Sequence, residues 1–398
     1  MIIPVAGSEM SRSLLQMGDK PVVEVDELPW RGVDASIRSH WERIVNVGEY
    51  NPSLRPDWVA AAAEAFGVLA ELRVLVVREG GQTVGVVPFF VRQARMLGVT
   101  LKVVELAGNL VSYHQEITAP GYEQAVVRAL LKRGGGRDCV VQALNLVEGG
   151  PTDLAFGRTG FERRNTVLSY PGEVSPYLPV VSSWDEFVKS RDGRFRYKVR
   201  KVDRILAQSP DMSLRWFDGP SGLADLMEAI LRIEGHSWKV ERGMDIRSRP
   251  VERVYHERLV PMLAEQGMLF STVLYVGGVP AAYSLACRWK AWVGQLKTSF
   301  DETYADRWPG RIVMLATIRR TFEEGAREFD FLGDAMQHKL EWTAARRQHV
   351  TDILFGAGLK SRLVGWVKKM ARVARGGWAR YGGGLRIAGQ PGNARRGE

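Results

Sequence analysis

Cysteine is nearly missing from this chain: Cys139 and Cys287 are the only two in 398 residues. Two thiols exclude a disulfide framework and a thiolate metal cluster, and their apolar settings, Cys139-Val-Val and Leu-Ala-Cys287, read as core in a reducing compartment. Histidine is also sparse, with six residues and no His/Cys/Asp/Glu grouping at zinc spacing. Walker loops and nucleophile elbows are absent, so P-loop and serine-hydrolase chemistry have no motif to rest on. No apolar run approaches bilayer-spanning length, and residues 1–20 hold no sustained hydrophobic region with a small-residue cleavage site. The expectation is a cytoplasmic protein without a metal.

What is present is ordinary globular composition, 45% apolar and 25% charged, on a chain long enough for two domains. The net charge of +10 is concentrated. Gly356 to Glu398 carries ten Lys/Arg against one acid, which leaves Met1 to Phe355 at +1. The basic character therefore describes a tail. A second concentration runs through Lys189, Arg191, Arg194, Arg196, Lys198, Arg200, Lys201 and Arg204, offset only by Asp192 and Asp203. It fits either a solvated helix or an anion-binding face.

Periodicity exposes a duplication. Glu71 to Val91 reads as two β-branched runs joined by Gly80-Gly81, and Leu269 to Trp289 repeats that grammar around Gly277-Gly278. After each hairpin come a Pro-Gly pair (Pro120-Gly121, Pro309-Gly310), a helical stretch (Tyr122 to Lys132, Arg311 to Glu324) and another strand (Asp138 to Leu144, Arg327 to Leu332). The period is near 190 residues. The boundary is placed in the Pro/Gly cluster Tyr170 to Pro179, followed by a capping box at Ser183-Trp-Asp-Glu186. The expected division is a flexible N-terminus over 1–21, domains over 22–175 and 176–355, and a basic amphipathic helix with a disordered tail over 356–398.

Each Pro-Gly loop opens a helix whose first N–H groups and dipole could hold phosphate. The charges differ. Glu123 follows Gly121, whereas Arg307 and Arg311 bracket Gly310. A pyrophosphate is repelled from the first and drawn to the second, so a nucleotide-like group belongs to the C-terminal copy.

Arg307-x-x-Gly310 resembles the Gln/Arg-x-x-Gly-x-Gly/Ala loop of the GNAT superfamily of N-acyltransferases, with Ile312 standing where that pattern has a small residue. Three more segments carry the resemblance: Ile233-Glu234-Gly-His236-Ser-Trp238-Lys239, Trp308-Pro-Gly-Arg311, and Phe329-Asp330-Phe-Leu-Gly-Asp334 leading to Lys339 and Trp342. Together they look like the CelD-type acetyltransferases of polysaccharide synthesis, double-GNAT relatives of the FemABX peptidyltransferases. Asn51-Pro-Ser-Leu-Arg-Pro-Asp-Trp58, the Val86-Val-Pro88 strand and Leu106-Ala-Gly108 resemble their N-terminal half. The resemblance spans roughly residues 50 to 345. One departure is His338, where the group commonly has tyrosine.

The resemblance implies an α+β fold of two tandem GNAT-like domains, each a mixed twisted sheet flanked by helices. It implies an acyl-CoA donor, acetyl-CoA or another acyl-CoA, and an amine acceptor such as an amino sugar of a glycan. Donor contacts are expected from Gln295, Lys297, Arg307, Gly310 and Arg311. Glu234 is expected as acceptor-binding group or base, although its helical spacing fits a solvated helix end equally. Asp334 and Lys339 would line the crevice at a strand end, and His338 would protonate the thiolate. His114, His236, Trp238 and Lys239 are expected at the acceptor. Two alternatives stay open: a FemABX-like transferase using aminoacyl-tRNA, with the basic stretches on RNA phosphates, and a non-catalytic GNAT scaffold at a membrane surface. Otherwise nucleic acid is not expected as a partner.

In the tail, Leu359, Leu363, Trp366, Met370 and Val373 share one helical face, with Lys360, Lys368, Lys369, Arg372 and Arg375 around it, and Trp378 and Tyr381 as further anchors. This reads as an interfacial helix at the inner face of a membrane, or else as a helix packed on its own domain.

Overall fold

The computed structural model describes residues 23–48, 50–107, 115–133 and 137–374. His114, the N-terminal 1–21 segment, Trp378, Tyr381 and the end of the tail fall outside the described residues.

The first half runs β1 (Glu24–Pro29), α1 (Ala35–Val47), α2 (Pro56–Ala65), β2 (Arg73–Glu79), β3 (Gln82–Met96), β4 (Val99–Leu106), α3 (Glu123–Arg133), β5 (Cys139–Val147), α4 (Pro151–Arg163) and β6 (Val167–Pro179). After α5 (Trp184–Ser190) and α6 (Gly193–Gln208) the order repeats. The second half has β7 (Met212–Phe217), α7 (Leu223–Glu234), α8 (Pro250–Glu265), β8 (Leu269–Val276), β9 (Val279–Trp289), β10 (Trp292–Phe300), α9 (Pro309–Glu323), β11 (Glu328–Asp330), α10 (Gln337–Leu340) and β12 (Arg346–Phe355). A last helix, α11 (Leu359–Ala374), follows.

Local rules account for many of these bounds. Both glycines of each Gly-Gly pair have positive φ (53° and 81°, 58° and 78°), the requirement of the two-residue turn whose twist suits a hairpin. The Ser183 side chain accepts from Glu186 N while Glu186 accepts from Ser183 N, which closes the expected capping box at α5. Asp192 caps α6 in the same manner, accepting from Phe195 N.

One twelve-stranded sheet, in the order β1-β2-β3-β4-β5-β12-β6-β11-β10-β9-β8-β7, joins the halves. Exchanging β1 to β6 with β7 to β12 reads the same order backwards, so the duplication is a pseudo-two-fold. The halves trade strands at its centre. β12 lies between β5 and β6 and puts Val350 and Leu354 into the first-half core, while the end of β6 pairs with β11 and puts Leu178 beside Phe329 and Phe331.

The 175/176 boundary expected from sequence falls inside β6, and the Pro/Gly cluster is strand. Pro171 and Pro176 are tolerated because β6 pairs with β12 alone over 167–176, and a register shift interrupts that ladder next to Pro171. The Asn51–Trp58 motif also joins the halves. Asn51 caps a short turn, Arg55 lies 4.9 Å from the Trp289 ring centroid, and buried Trp58 donates to Tyr255 Oη at 2.7 Å. The α2 helix thus packs on α8 of the other half.

Candidate active site

In each half, two parallel strands begin side by side and then part. In the first half β4 and β5 pair over Lys102–Glu105 and Cys139–Gln142. Beyond that the chain returns at Gln115, whose N–H donates to Asn145 O, while its buried amide accepts from Leu144 N at 3.0 Å and donates to Leu106 O at 3.5 Å. This residue stitches the gap shut. In the second half β10 and β11 pair only from Trp292–Gly294 to Glu328–Asp330, and no further pairing between them occurs among the described residues. A bulge at Leu296 shifts the register of β10 on β9 at this point, bending the strand and freeing one edge.

The helix starts differ as their charges foretell. At α3 the Glu123 carboxylate accepts from Gly121 N at 3.0 Å, so the first half closes its own anion position. At α9 no side chain caps the helix, and its N-cap Trp308 is held at φ 60°. Cations gather here: Lys201 Nζ lies 3.8 Å from the Trp308 ring centroid, Arg311 donates to Glu341 at 2.7 Å, and Lys198 reaches the same carboxylate at 2.9 Å. Part of the basic stretch on α6 is therefore brought to the start of α9. Arg307 forms two bonds to Asp211, at 2.7 and 2.9 Å, and is held beside the site by that pair. Gly310 lets α9 approach β10, because a Cβ there would stand 2.9 Å from Phe300 Cδ1.

Other expected residues separate into two groups. Gln295 is buried at the parting point, 3.4 Å from Ser284 Oγ. Lys297, expected at the donor, instead turns its ammonium to Glu252 at 2.5 Å and lies 3.8 Å from Glu234. Glu234 is 0% exposed, and its carboxylate accepts from Lys239 (2.6 Å), Tyr283 Oη (2.7 Å) and Ile246 N (3.2 Å). The solvated helix end is excluded, and the bonds to both carboxylate oxygens pin the 235–249 segment. Lys239 also donates to Thr298 O at 2.9 Å, tying that segment to β10, and burial together with Lys297 lowers its pKa. His236 is exposed, its Nδ1 2.9 Å from Arg232 O, and Trp238 is half-buried under Arg242.

The second group forms at the end of β11. Leu332 and Gly333 both have positive φ (50° and 61°), which turns the chain out of the sheet. Buried Lys339 donates back to Leu332 O and holds that turn. Burial lowers its pKa, and Asp330, Asp334 and Glu173 oppose this. Asp334 and His338 are exposed around it. Burial and the Lys339 ammonium lower the pKa of His338, so the imidazole is neutral near pH 7 and suited to accept a proton. Asp330 is 1% exposed; burial raises it to about 6 although Arg347 pulls the other way at 2.9 Å.

Arg347 escaped the sequence reading. It arrives on the exchanged strand β12, binds Asp330 and Glu328, and stacks 4.0 Å from the Tyr177 ring centroid. No motif surrounds it, and only the strand exchange brings it to the site.

Cys139 and Cys287 are buried, and burial raises both thiols, as befits core residues. No metal-holding group of His, Cys, Asp or Glu occurs among the described residues. A cleft of about 440 Å³ between α6, β7 and α9 is lined by Trp216, Leu315 and Arg320, and none of the expected site residues faces it.

The family model for an acetyltransferase (GNAT) domain matches residues 193–340. No curated protein sequence matches the chain. Among solved structures, FemX aligns at 13% identity with a TM-score of 0.56, covering 83% of this chain and 98% of that one. A conserved protein of unknown function from Bacteroides thetaiotaomicron gives 10% and 0.52 over 75% and 89%. The C-terminal domain of a protein described as a lysylphosphatidylglycerol synthetase, from Agrobacterium fabrum, gives 9% and 0.52 over 85% and 96%. These identities speak for the fold alone. Residues 193–340 therefore match a GNAT acetyltransferase domain, and the chain as a whole shares the duplicated fold seen in FemX.

Proposed function

We propose that the chain transfers an acyl group from acyl-CoA to an amine, with the donor held by the second half alone. The observation that carries this is the asymmetry of the two strand partings: Gln115 and Glu123 close the first, while β10, β11 and the uncapped start of α9 leave the second open among cations. Those residues fit a thioester donor with a pyrophosphate. Arg311, Lys198 and Lys201 would take the phosphates, and the β10 edge beside the Leu296 bulge would offer peptide N–H groups to the acyl carbonyl.

The donor supplies an activated acyl carbon that a neutral amine attacks. The chain must deprotonate that amine, and His338, neutral and exposed, is better placed for this than for protonating a thiolate. Lys339 positions Asp334 and His338 through the turn it holds. Acetyl-CoA and a glycan amine of polysaccharide synthesis, in a bacterial cytoplasm or at its membrane, are the donor, acceptor and setting that the CelD-type resemblance supplies.

Calorimetry with acetyl-CoA and longer acyl-CoAs, followed by thiol release with a panel of amino sugars, tests this. CoA binding that Arg311→Glu abolishes supports it, and absence of CoA binding overturns it. The second reading, aminoacyl transfer from tRNA, is favoured by Arg194, Arg200 and Arg204, exposed on α6, the helix that brings Lys198 and Lys201 to the same helix start. Charged tRNA is therefore the control donor.

A further inference from the structure

Helix α11 is neither a free tail nor a fully packed helix. Its inner side, Ser361, Val364 and Gly365, is buried, with Ser361 Oγ donating to Cys139 O at 2.6 Å and Gly365 close enough to Phe355 that a Cβ would stand 2.8 Å from the ring. Arg372 adds a 2.5 Å bond to Ser169 O and a stack on Tyr170, and Lys368 is desolvated enough to lower its pKa. This clamp covers the cluster of Leu101, Val103, Val140, Ile353 and Phe355.

The opposite side holds the apolar stripe seen in the sequence, and it faces out. Leu359 is 82% exposed, Leu363 54%, Trp366 57%, Met370 40% and Val373 66%. At 100° per residue these five fall within one face, with Arg362 and Lys369 along one flank and Lys360 on the other, all three exposed. Residues 375–398 add five arginines and one acid. An apolar stripe edged by cations, on a body otherwise near neutral, is complementary to an anionic lipid surface.

We infer that α11 is a fixed membrane-docking ridge: its stripe enters the interface of an anionic bilayer while its inner side stays clamped to the sheet. This deepens the membrane-surface setting of the proposed function and rests on that reading only for its biological purpose. A rigid ridge, unlike a tether, fixes the orientation of the enzyme on the surface.

The test is co-sedimentation of the full chain with vesicles of phosphatidylcholine and 30% phosphatidylglycerol, compared with Leu363→Asp/Trp366→Asp and with Lys360→Glu/Lys369→Glu. The unaltered protein should bind these vesicles, bind pure phosphatidylcholine weakly, and release as salt rises past about 0.5 M. Each double variant should lose about tenfold or more in partitioning, with unchanged Tm because neither touches the clamped side. Unchanged binding by the stripe variant overturns the inference, as does indifference of the full chain to anionic vesicles. A concentration-dependent dimer that the stripe variant dissolves also overturns it, since the stripe is then covered by a second copy. CoA calorimetry on the same samples reports the acyl-transfer reading separately.

Discussion

Gly310 shows how much one carbon can decide. Because a Cβ there meets Phe300, Gly310→Ala should lift the start of α9 off β10 and weaken CoA binding at least as much as Arg311→Ala. A charge-assisted phosphate contact is worth about 1.5–3 kcal/mol, so both should lose roughly tenfold or more by calorimetry. Arg128, which pairs with Glu162 on the first half, should be silent when changed to alanine. Equal losses from Arg128→Ala and Arg311→Ala would defeat the one-sided donor site. Asp352 offers a different reading. It is 1% exposed beside Asp153 and Ser169, and burial raises it to about 7. The folded state then keeps its proton up to about pH 7, while the unfolded chain, where an aspartate titrates near its ordinary value of 3.8, loses it much earlier. Stability from this group is fully present below about pH 4 and is lost as pH rises through 7. Asp352→Asn should flatten that slope, and its Tm at pH 8 should exceed that of the unaltered chain by a few °C, on the order expected for a chain of this size.

Among the elements, the 235–249 segment depends on Glu234. Glu234→Ala leaves Lys239 and Lys297 beside an empty buried position, a change that typically costs about 3–5 kcal/mol, readable as a lower urea midpoint. A double-mutant cycle with Lys239→Met should recover part of the loss; strict additivity would mean that the pair is not coupled. Helix α11 is clamped to the sheet by one side and bares the other. Truncation after Phe355 would strip cover from Val103, Val140 and Ile353, so it should lower Tm by several degrees instead of leaving the body untouched. An unchanged melt would show the clamp to be energetically idle.

For the whole molecule, the exchange of β6 and β12 makes the halves interdependent. Residues 23–180 alone lack β12, the strand between β5 and β6, and residues 181–374 alone lack β6, the strand between β11 and β12. Each piece should therefore be insoluble or unfolded by circular dichroism when made alone, and the two should recover structure when co-expressed. The intact chain should melt in a single transition seen equally by fluorescence and far-ultraviolet dichroism. Two resolved transitions would show that the central strands couple the halves weakly.

By itself the sequence determined what depends on neighbours along the chain. Gly80-Gly81 and Gly277-Gly278 made both hairpins legible because positive φ is a property of two adjacent residues, and Ser183 to Glu186 announced a helix start for the same reason. The unequal helix starts were legible too, since Glu123 and Arg311 lie in the first turns whose charge they set. Tertiary structure alone decided which strand completes which half, since proline-bearing β6 becomes acceptable only where one of its edges lacks a partner. It decided that Glu234 is sealed among two lysines and a tyrosine, and that Arg347 reaches Asp330 from a strand exchanged between halves. It also decided the bearing of α11. Periodicity reveals an apolar stripe but not the side that meets the body, and the small residues Ser361 and Gly365 drew the helix inward, leaving the larger side chains of the stripe in solvent.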